Sequence, residues 1–257
     1  MATDEKATSV KSAERALSLI EFVSEHESVS FGEILTELSI PRSSAHGLLQ
    51  TLTSTGWVAH DPRTRQYSLG LRAWQVGQNF RGNTDLLGIV RPIMDKLAAG
   101  VGETVQLAQL DGVNNTYIAI SQPARTMRLA SSVGMQLPAH ATGIGKALLS
   151  LLPREEAERR LRAAAPLAHL TEHTVSDVDE LLALVDRVHE DGYAVDDEEY
   201  MSGCRCVAVP LPYVSDRDTQ LAISLTMPTS RTTAEWPLDI YESLRRSMAE
   251  LETLIRP

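Results

Sequence analysis

A chain of 257 residues with 43% apolar and 23% charged residues has the length and make-up of one large globular domain or two smaller ones, not of a disordered or fibrous chain. No apolar run approaches the ~18–20 residues that cross a bilayer, and the opening stretch MATDEKATSVKSAER lacks the apolar centre of a signal peptide, so a cytoplasmic protein without a membrane partner is expected. The net charge of −10 opposes nucleic acid when taken whole, and Cys204 and Cys206 stand too close together to close a useful disulfide loop, so reduced thiols are expected.

Val10, Ala13, Leu17, Ile20 and Val23 recur at helical spacing and predict a first helix from Val10 to about Glu25. Ser30-Phe31-Gly32-Glu33 fits a capping box, with Ile34, Leu35 and Leu38 as the inner side of a short second helix ending near Ser39. Pro41 suits the first turn of a third helix, whose core stripe is Ala45, Leu48, Leu49 and Leu52. After Gly56, Trp57–His60 and Gln66–Leu69 read as strands around the polar turn Asp61-Pro62-Arg63-Thr64-Arg65. Helix, helix, helix, hairpin is the order of a winged helix-turn-helix, whose third helix enters a major groove. Charge agrees locally: residues 39–73 carry Arg42, Arg63, Arg65 and Arg72 against Asp61 alone.

Residues 71–83 predict a linker helix, and Asp85–Leu97 another helix beyond a boundary near residue 80. Strands follow at Thr104–Leu110 and Thr116–Ser121 around Asp111-Gly112, with one more near Arg128–Ser131. Helices are expected from Gly143 to Leu152, around Arg154–Ala164, from Asp177 to Asp191 with Ser176 as cap, and at the end of the chain with Tyr241, Leu244, Met248, Leu251 and Leu254 on one face. Strands at Cys204–Pro210 and Leu221–Met227 complete an α+β pattern with an antiparallel sheet.

The ordered set Ser12–Leu17, Pro41–His46, Gly56-Trp57-Val58, Tyr67–Gly70, Gly134–Leu149, Leu170–Thr174 and Gly192–Ala208 resembles the isocitrate lyase regulator (IclR) family of bacterial transcription factors over nearly the whole chain. That resemblance implies a winged helix-turn-helix DNA-binding domain at 1–70, a linker helix at 71–83 and a GAF-like effector-binding domain at 84–257. It further implies a transcriptional regulator, repressor or activator, that works as a homodimer or dimer of dimers, and two-fold related recognition helices then call for a near-palindromic operator in double-stranded DNA.

Site candidates follow from residue chemistry and from the resemblance together. In the third helix Arg42, Ser43, Ser44, His46, Gln50 and Thr51 lie off the apolar stripe and are types that donate to phosphates or base edges, although a solvated helix face would show the same pattern. The resemblance favours DNA, with Arg63 and Arg65 on the wing. Gly47 departs from the family, which commonly has Arg there, and an interior Gly costs a helix about 1 kcal/mol relative to Ala. Thr142–Ala147 is no phosphate loop, because His140 replaces the first Gly and Ala147 the Ser/Thr.

The resemblance places Gly143, Ile144, Asp196, Cys204, Cys206, Ser224 and Thr226 at an effector pocket for a small organic or aromatic carboxylate. Met135 and Leu137 help to set its size. Alternation independently puts Cys204 with Cys206, and Ser224 with Thr226, on shared strand faces. The run Asp196–Glu199 has no ligand spacing, and the pair His169 and His173 lacks a third ligand, so no metal and no cofactor is expected. The competing readings are an enzyme with Cys206 as nucleophile, His140 as base and Asp196 as orienter, fused to a DNA-binding module, and a scaffold that binds protein through its winged helix. Trp57, Trp74 and Trp236 read as packing residues.

Overall fold

A computed structural model describes residues 10–78, 84–123, 131–211 and 220–255, and the chain divides into two units, residues 1–82 and 83–257. The expected strand at Arg128–Ser131 and the end of the expected linker helix fall on or against segments outside the described residues.

In the first unit α1 (Lys11–Ser24), α2 (Phe31–Leu38) and α3 (Arg42–Ser54) pack on the hairpin β2 (Val58–Asp61) and β3 (Gln66–Leu69), which β1 (Val29–Ser30) widens to the order β1-β3-β2. α4 (Leu71–Gly77) closes the unit. The capping box at α2 is present in both halves, Glu33 N donating to Ser30 Oγ and Ser30 N to Glu33 Oε2. Pro41 takes the cap position just outside α3. The stripe of α1 is rotated from the one expected: Leu19 and Val23 are fully buried while Leu17 is 60% exposed. Two overlapping stripes share helical spacing in KSAERALSLIEFVS, and packing against Ile34, Leu49 and Val58 selects the one through Leu19.

The second unit is a six-stranded antiparallel sheet, order β6-β5-β4-β9-β8-β7, made of β4 (Thr104–Asp111), β5 (Asn114–Ser121), β6 (Gln136–Pro138), β7 (Ala194–Asp197), β8 (Cys204–Leu211) and β9 (Leu221–Pro228). The α+β expectation holds. One face carries Val105, Leu107, Val207, Val209, Ile223 and Leu225 against α5 (Thr84–Val101) and α9 (Leu238–Ile255). The other face is small-sided, with Ala108, Ala208 and Ala222, and receives α6 (Gly143–Leu149), with α7 (Arg154–Ala164) packed on α8 (Val178–Asp191) beyond it. Large side chains on one side and short ones on the other follow from the strand period of two.

All residues of α6 are buried. The helix lies so close to the preceding turn that a Cβ on Gly145 would stand 2.2 Å from Ala139 Cα, so only glycine fits there. α6 is shorter than expected because Leu151 and Leu152 donate to Leu148 and Leu149, three residues back, which tightens the end ahead of Pro153. α8 is capped by Asp177, not Ser176: its carboxylate accepts from Asp179 N and Glu180 N, both at 2.9 Å. In α9 Leu244, Met248 and Leu251 are buried, but Leu254 is exposed.

Candidate functional site

Two places in the molecule gather polar groups. In the first unit Ser43, His46, Gly47 and Gln50, at helical spacing, form the exposed face of α3, with Arg42 and Thr51 beside them and Ser44 half-buried. The Arg42 guanidinium carbon sits 5.4 Å above the Phe31 ring. Thr51 is turned back on its own helix, its hydroxyl donating to Gly47 O at 3.0 Å. A Cβ on Gly47 would meet nothing within 4 Å, so the helix has room for an alanine there without repacking.

Arg63 and Arg65 are exposed at the hairpin tip. The tip is fixed by Asp61: Arg63 N donates to its carboxylate at 2.8 Å and Arg65 N to its carbonyl at 2.7 Å, with Arg65 in the left-handed region at φ 58°. The bond from Arg63 N holds the Asp61 carboxyl below the usual range. Between α3 and the hairpin runs a groove lined by His46, Gln50, His60 and Tyr67, the last two stacked at 4.6 Å.

In the second unit a cavity of about 270 Å³ opens between the small-sided sheet face, the start of α6 and the turn after β7. Its lining includes five of the expected residues, Ile144, Asp196, Cys204, Cys206 and Thr226. Register explains the grouping: Asp196 pairs with Cys206 and Cys206 with Thr226, a row across three adjacent strands. The two other expected residues stand behind the wall. Ser224 is fully buried and donates to Gln106 Oε1 at 3.0 Å, and a Cβ on Gly143 would come within 3.3 Å of Cys206 Sγ.

Gln106, Tyr117, Ser131, Tyr200 and Met201 also line the cavity and were not anticipated. One signal was present: Gln106 interrupts the apolar run of β4, a strand buried on both faces. Thr142 caps α6, accepting from Gly145 N at 3.1 Å, and also donates to Asn115 Oδ1 at 2.7 Å.

Electrostatics set the protonation of the pocket. Burial pushes the Asp196 carboxyl up to about 7, although Glu199 N at 2.7 Å and Tyr200 N at 3.3 Å donate to its Oδ1 and Lys146 lies nearby. Burial likewise pushes both thiols up to about 12, and for Cys206 the charge of Asp196 adds to it, so at neutral pH neither is a thiolate. His140 does not serve Cys206: its Nε2 is bonded to Ala168 O at 2.8 Å. The nucleophilic arrangement considered from sequence is therefore not assembled.

The four carboxylates after Val195 go to four partners. Asp196 faces the pocket, Asp197 pairs with Arg205 at 2.6 Å, Glu198 accepts from Gly203 N at 2.6 Å, and Glu199 forms a buried ion pair with Lys146 at 2.5 Å. Among the described residues there is no cluster able to hold a metal ion, and His169 and His173 are not on a helix. Trp236 packs beneath the Arg205 guanidinium at 4.6 Å, while Trp74 is 62% exposed and so is not the packing residue expected.

A helix-turn-helix with a basic hairpin, and a sheet domain enclosing a ligand-sized, mostly apolar cavity with a few polar groups, define a regulator built from a reading module and a sensing module. Residues 12–62 match the family described as IclR helix-turn-helix domain, and residues 78–252 the one described as Bacterial transcriptional regulator IclR C-terminal. The chain is 36% identical over 227 residues to the acetate operon repressor of Salmonella typhimurium, covering 87% of this chain and 82% of that protein. Among solved structures it is similar to an IclR transcriptional regulator from Alicyclobacillus acidocaldarius, with TM-score 0.80 and 26% identity over 95% of this chain and 98% of the other. It also shares the fold of an IclR homologue from Microbacterium hydrocarbonoxydans complexed with 4-hydroxybenzoate, with TM-score 0.78 and 22% identity over 94% and 98%. The protein belongs to the IclR family of transcriptional regulators. No helix among the described residues is long and apolar enough to cross a membrane.

Proposed function

We propose that this protein is a DNA-binding repressor whose operator affinity is set by a small organic or aromatic carboxylate held in the 270 Å³ cavity of its C-terminal domain. The domain roles in this reading are DNA binding by residues 1–70, transmission through 71–83 and effector binding by 84–257. The cavity carries the reading: it is at the small end for ligand sites, it is mostly apolar, and it holds a few fixed polar groups, which orient a short ligand without transforming it. Gly143, Ile144, Asp196, Cys204, Cys206 and Thr226 form or back its wall, with Ser224 behind.

On the DNA side Arg42, Ser43, Ser44, His46, Gln50 and Thr51 enter the major groove, and Arg63 and Arg65 reach the backbone or the minor groove. A homodimer or dimer of dimers presents paired helices to half-sites about 34 Å apart or a multiple of that, which requires a near-palindromic operator. No observation favours catalysis at Cys206, whose thiol is held protonated.

The test is retardation of a labelled fragment from upstream of the protein's own gene, with and without 4-hydroxybenzoate, pyruvate and similar acids. Retardation that one of these acids relieves supports the reading; no retardation at low salt overturns it.

A further inference from the structure

The effector reading above leaves open which group in the cavity distinguishes one ligand head from another. Gln106 sits at the centre of the sheet, 1% exposed, on the strand between β5 and β9, and lines the cavity. Two hydroxyls from β9 converge on one end of it: Ser224 Oγ donates to Gln106 Oε1 at 3.0 Å and Thr226 Oγ1 donates to the same oxygen at 3.1 Å. Cross-strand register explains why, since Gln106 pairs with Ser224 and Thr104 with Thr226, so both hydroxyls rise beside the Gln106 side chain on the pocket face. A carboxamide has one acceptor oxygen and one NH₂, and a free one turns over to offer either. With the oxygen taken twice, the end left for a guest is the NH₂, a donor.

The geometry points to Gln106 as the residue that reads the ligand head, a fixed donor that selects a head carrying an acceptor oxygen, such as a carboxylate, over an ammonium head that offers donors alone, with Ser224 as a positioning residue that together with Thr226 fixes its orientation. This rests on the pocket being the effector site. Ser224 then matters without touching the ligand, which fits its complete burial behind the wall. Thr226 both lines the cavity and holds the tether.

The experiment measures affinities of the full-length protein at pH 6 for benzoate, 4-hydroxybenzoate and pyruvate and for the ammonium analogues benzylamine, 4-hydroxybenzylamine and aminoacetone, by calorimetry and thermal shift. Wild-type protein is expected to prefer the acid of whichever pair binds. Gln106→Glu replaces the donor by an acceptor of the same shape and should weaken the acid about ten- to hundredfold while sparing the amine. Gln106→Met, which keeps the shape without a charge, covers the case in which the buried carboxylate prevents folding and should weaken the acid by a similar factor. Ser224→Ala combined with Thr226→Val removes both tethers and frees the carboxamide to turn, so the acid-to-amine ratio should fall; a merely structural role would weaken both members of a pair alike.

Met201→Trp, at the half-exposed mouth of the cavity, reports on the pocket itself. An acid whose binding Met201→Trp blocks but both Gln106 variants leave unchanged overturns this inference alone, as does equal loss of acid and amine in the Ser224→Ala and Thr226→Val double variant. A panel that never raises the melting temperature of the wild type, or binding indifferent to Met201→Trp, overturns the pocket reading and this inference with it.

Discussion

Asp196 is the residue whose surroundings do most to set the behaviour of the pocket. Its carboxyl, ordinarily near 3.8, is raised to about 7 by burial, so the native state binds a proton that the unfolded chain has already lost. Stability is therefore highest below about pH 4 as far as this group is concerned, and falls as pH rises from there through 7. Asp196→Asn should raise the urea midpoint at pH 8 and leave it nearly unchanged at pH 4, checked by denaturation at the two pH values. Ligand affinity follows the same proton: an anion meets a neutral carboxyl at pH 6 and a charged one at pH 8, so 4-hydroxybenzoate should bind more weakly at the higher pH, and Asp196→Asn should flatten that dependence.

Gly47 is the complementary case on α3. Its position is open, so Gly47→Ala should stabilise the first unit by about 1 kcal/mol without disturbing any contact, a gain that thermal denaturation would register. Arg42→Ala and Arg65→Ala should each weaken operator binding and reduce the slope of log affinity against log salt by about 0.9, as expected for one lost phosphate contact.

At the scale of elements, the legible parts of the chain were those in which local chemistry has a single solution. Ser30 and Glu33 three positions apart can satisfy each other only at a helix start, and Pro41 can only precede or open one. Where two local solutions compete, tertiary packing decides and sequence does not. The stripe of α1 through Leu17 and the one through Leu19 have the same period, and Ser176 and Asp177 are equally good caps standing side by side. Asp177→Ala should cost α8 about 1 kcal/mol, whereas Ser176→Ala should cost little, a contrast that chemical denaturation of the two variants would reveal. β1, β6 and β7, of two, three and four residues, are too short for periodicity to show and exist because a longer neighbour offers them a ladder. Gln106 escaped notice as a site residue for a related reason: that a polar side chain is buried says nothing about which cavity it faces until the register with β9 is known.

For the whole molecule, the acidic balance of −10 hid a basic surface, because the four arginines of residues 39–73 are outnumbered elsewhere in the chain. Function in this reading depends on coupling between a reading unit and a sensing unit, and such coupling is reciprocal. If an acid weakens operator binding by some factor, operator DNA must weaken binding of that acid by the same factor, for a typical coupling of about 1–3 kcal/mol. Fluorescence anisotropy of labelled operator against acid concentration, and calorimetry of the acid with and without operator, measure the two sides independently. Unequal factors would mean that the acid acts on something other than the DNA-bound form.

The division of labour after Val195 has an outcome for genetics. Four successive acidic codons serve a cavity wall, a strand-edge clasp to Arg205, a loop anchor at Gly203 and an internal counter-charge for Lys146. Mutations one triplet apart should thus give unlike phenotypes: a lost pH dependence of ligand binding at Asp196, mild loosening at Asp197 and Glu198, and loss of soluble protein at Glu199, where an ammonium group would be stranded in the interior.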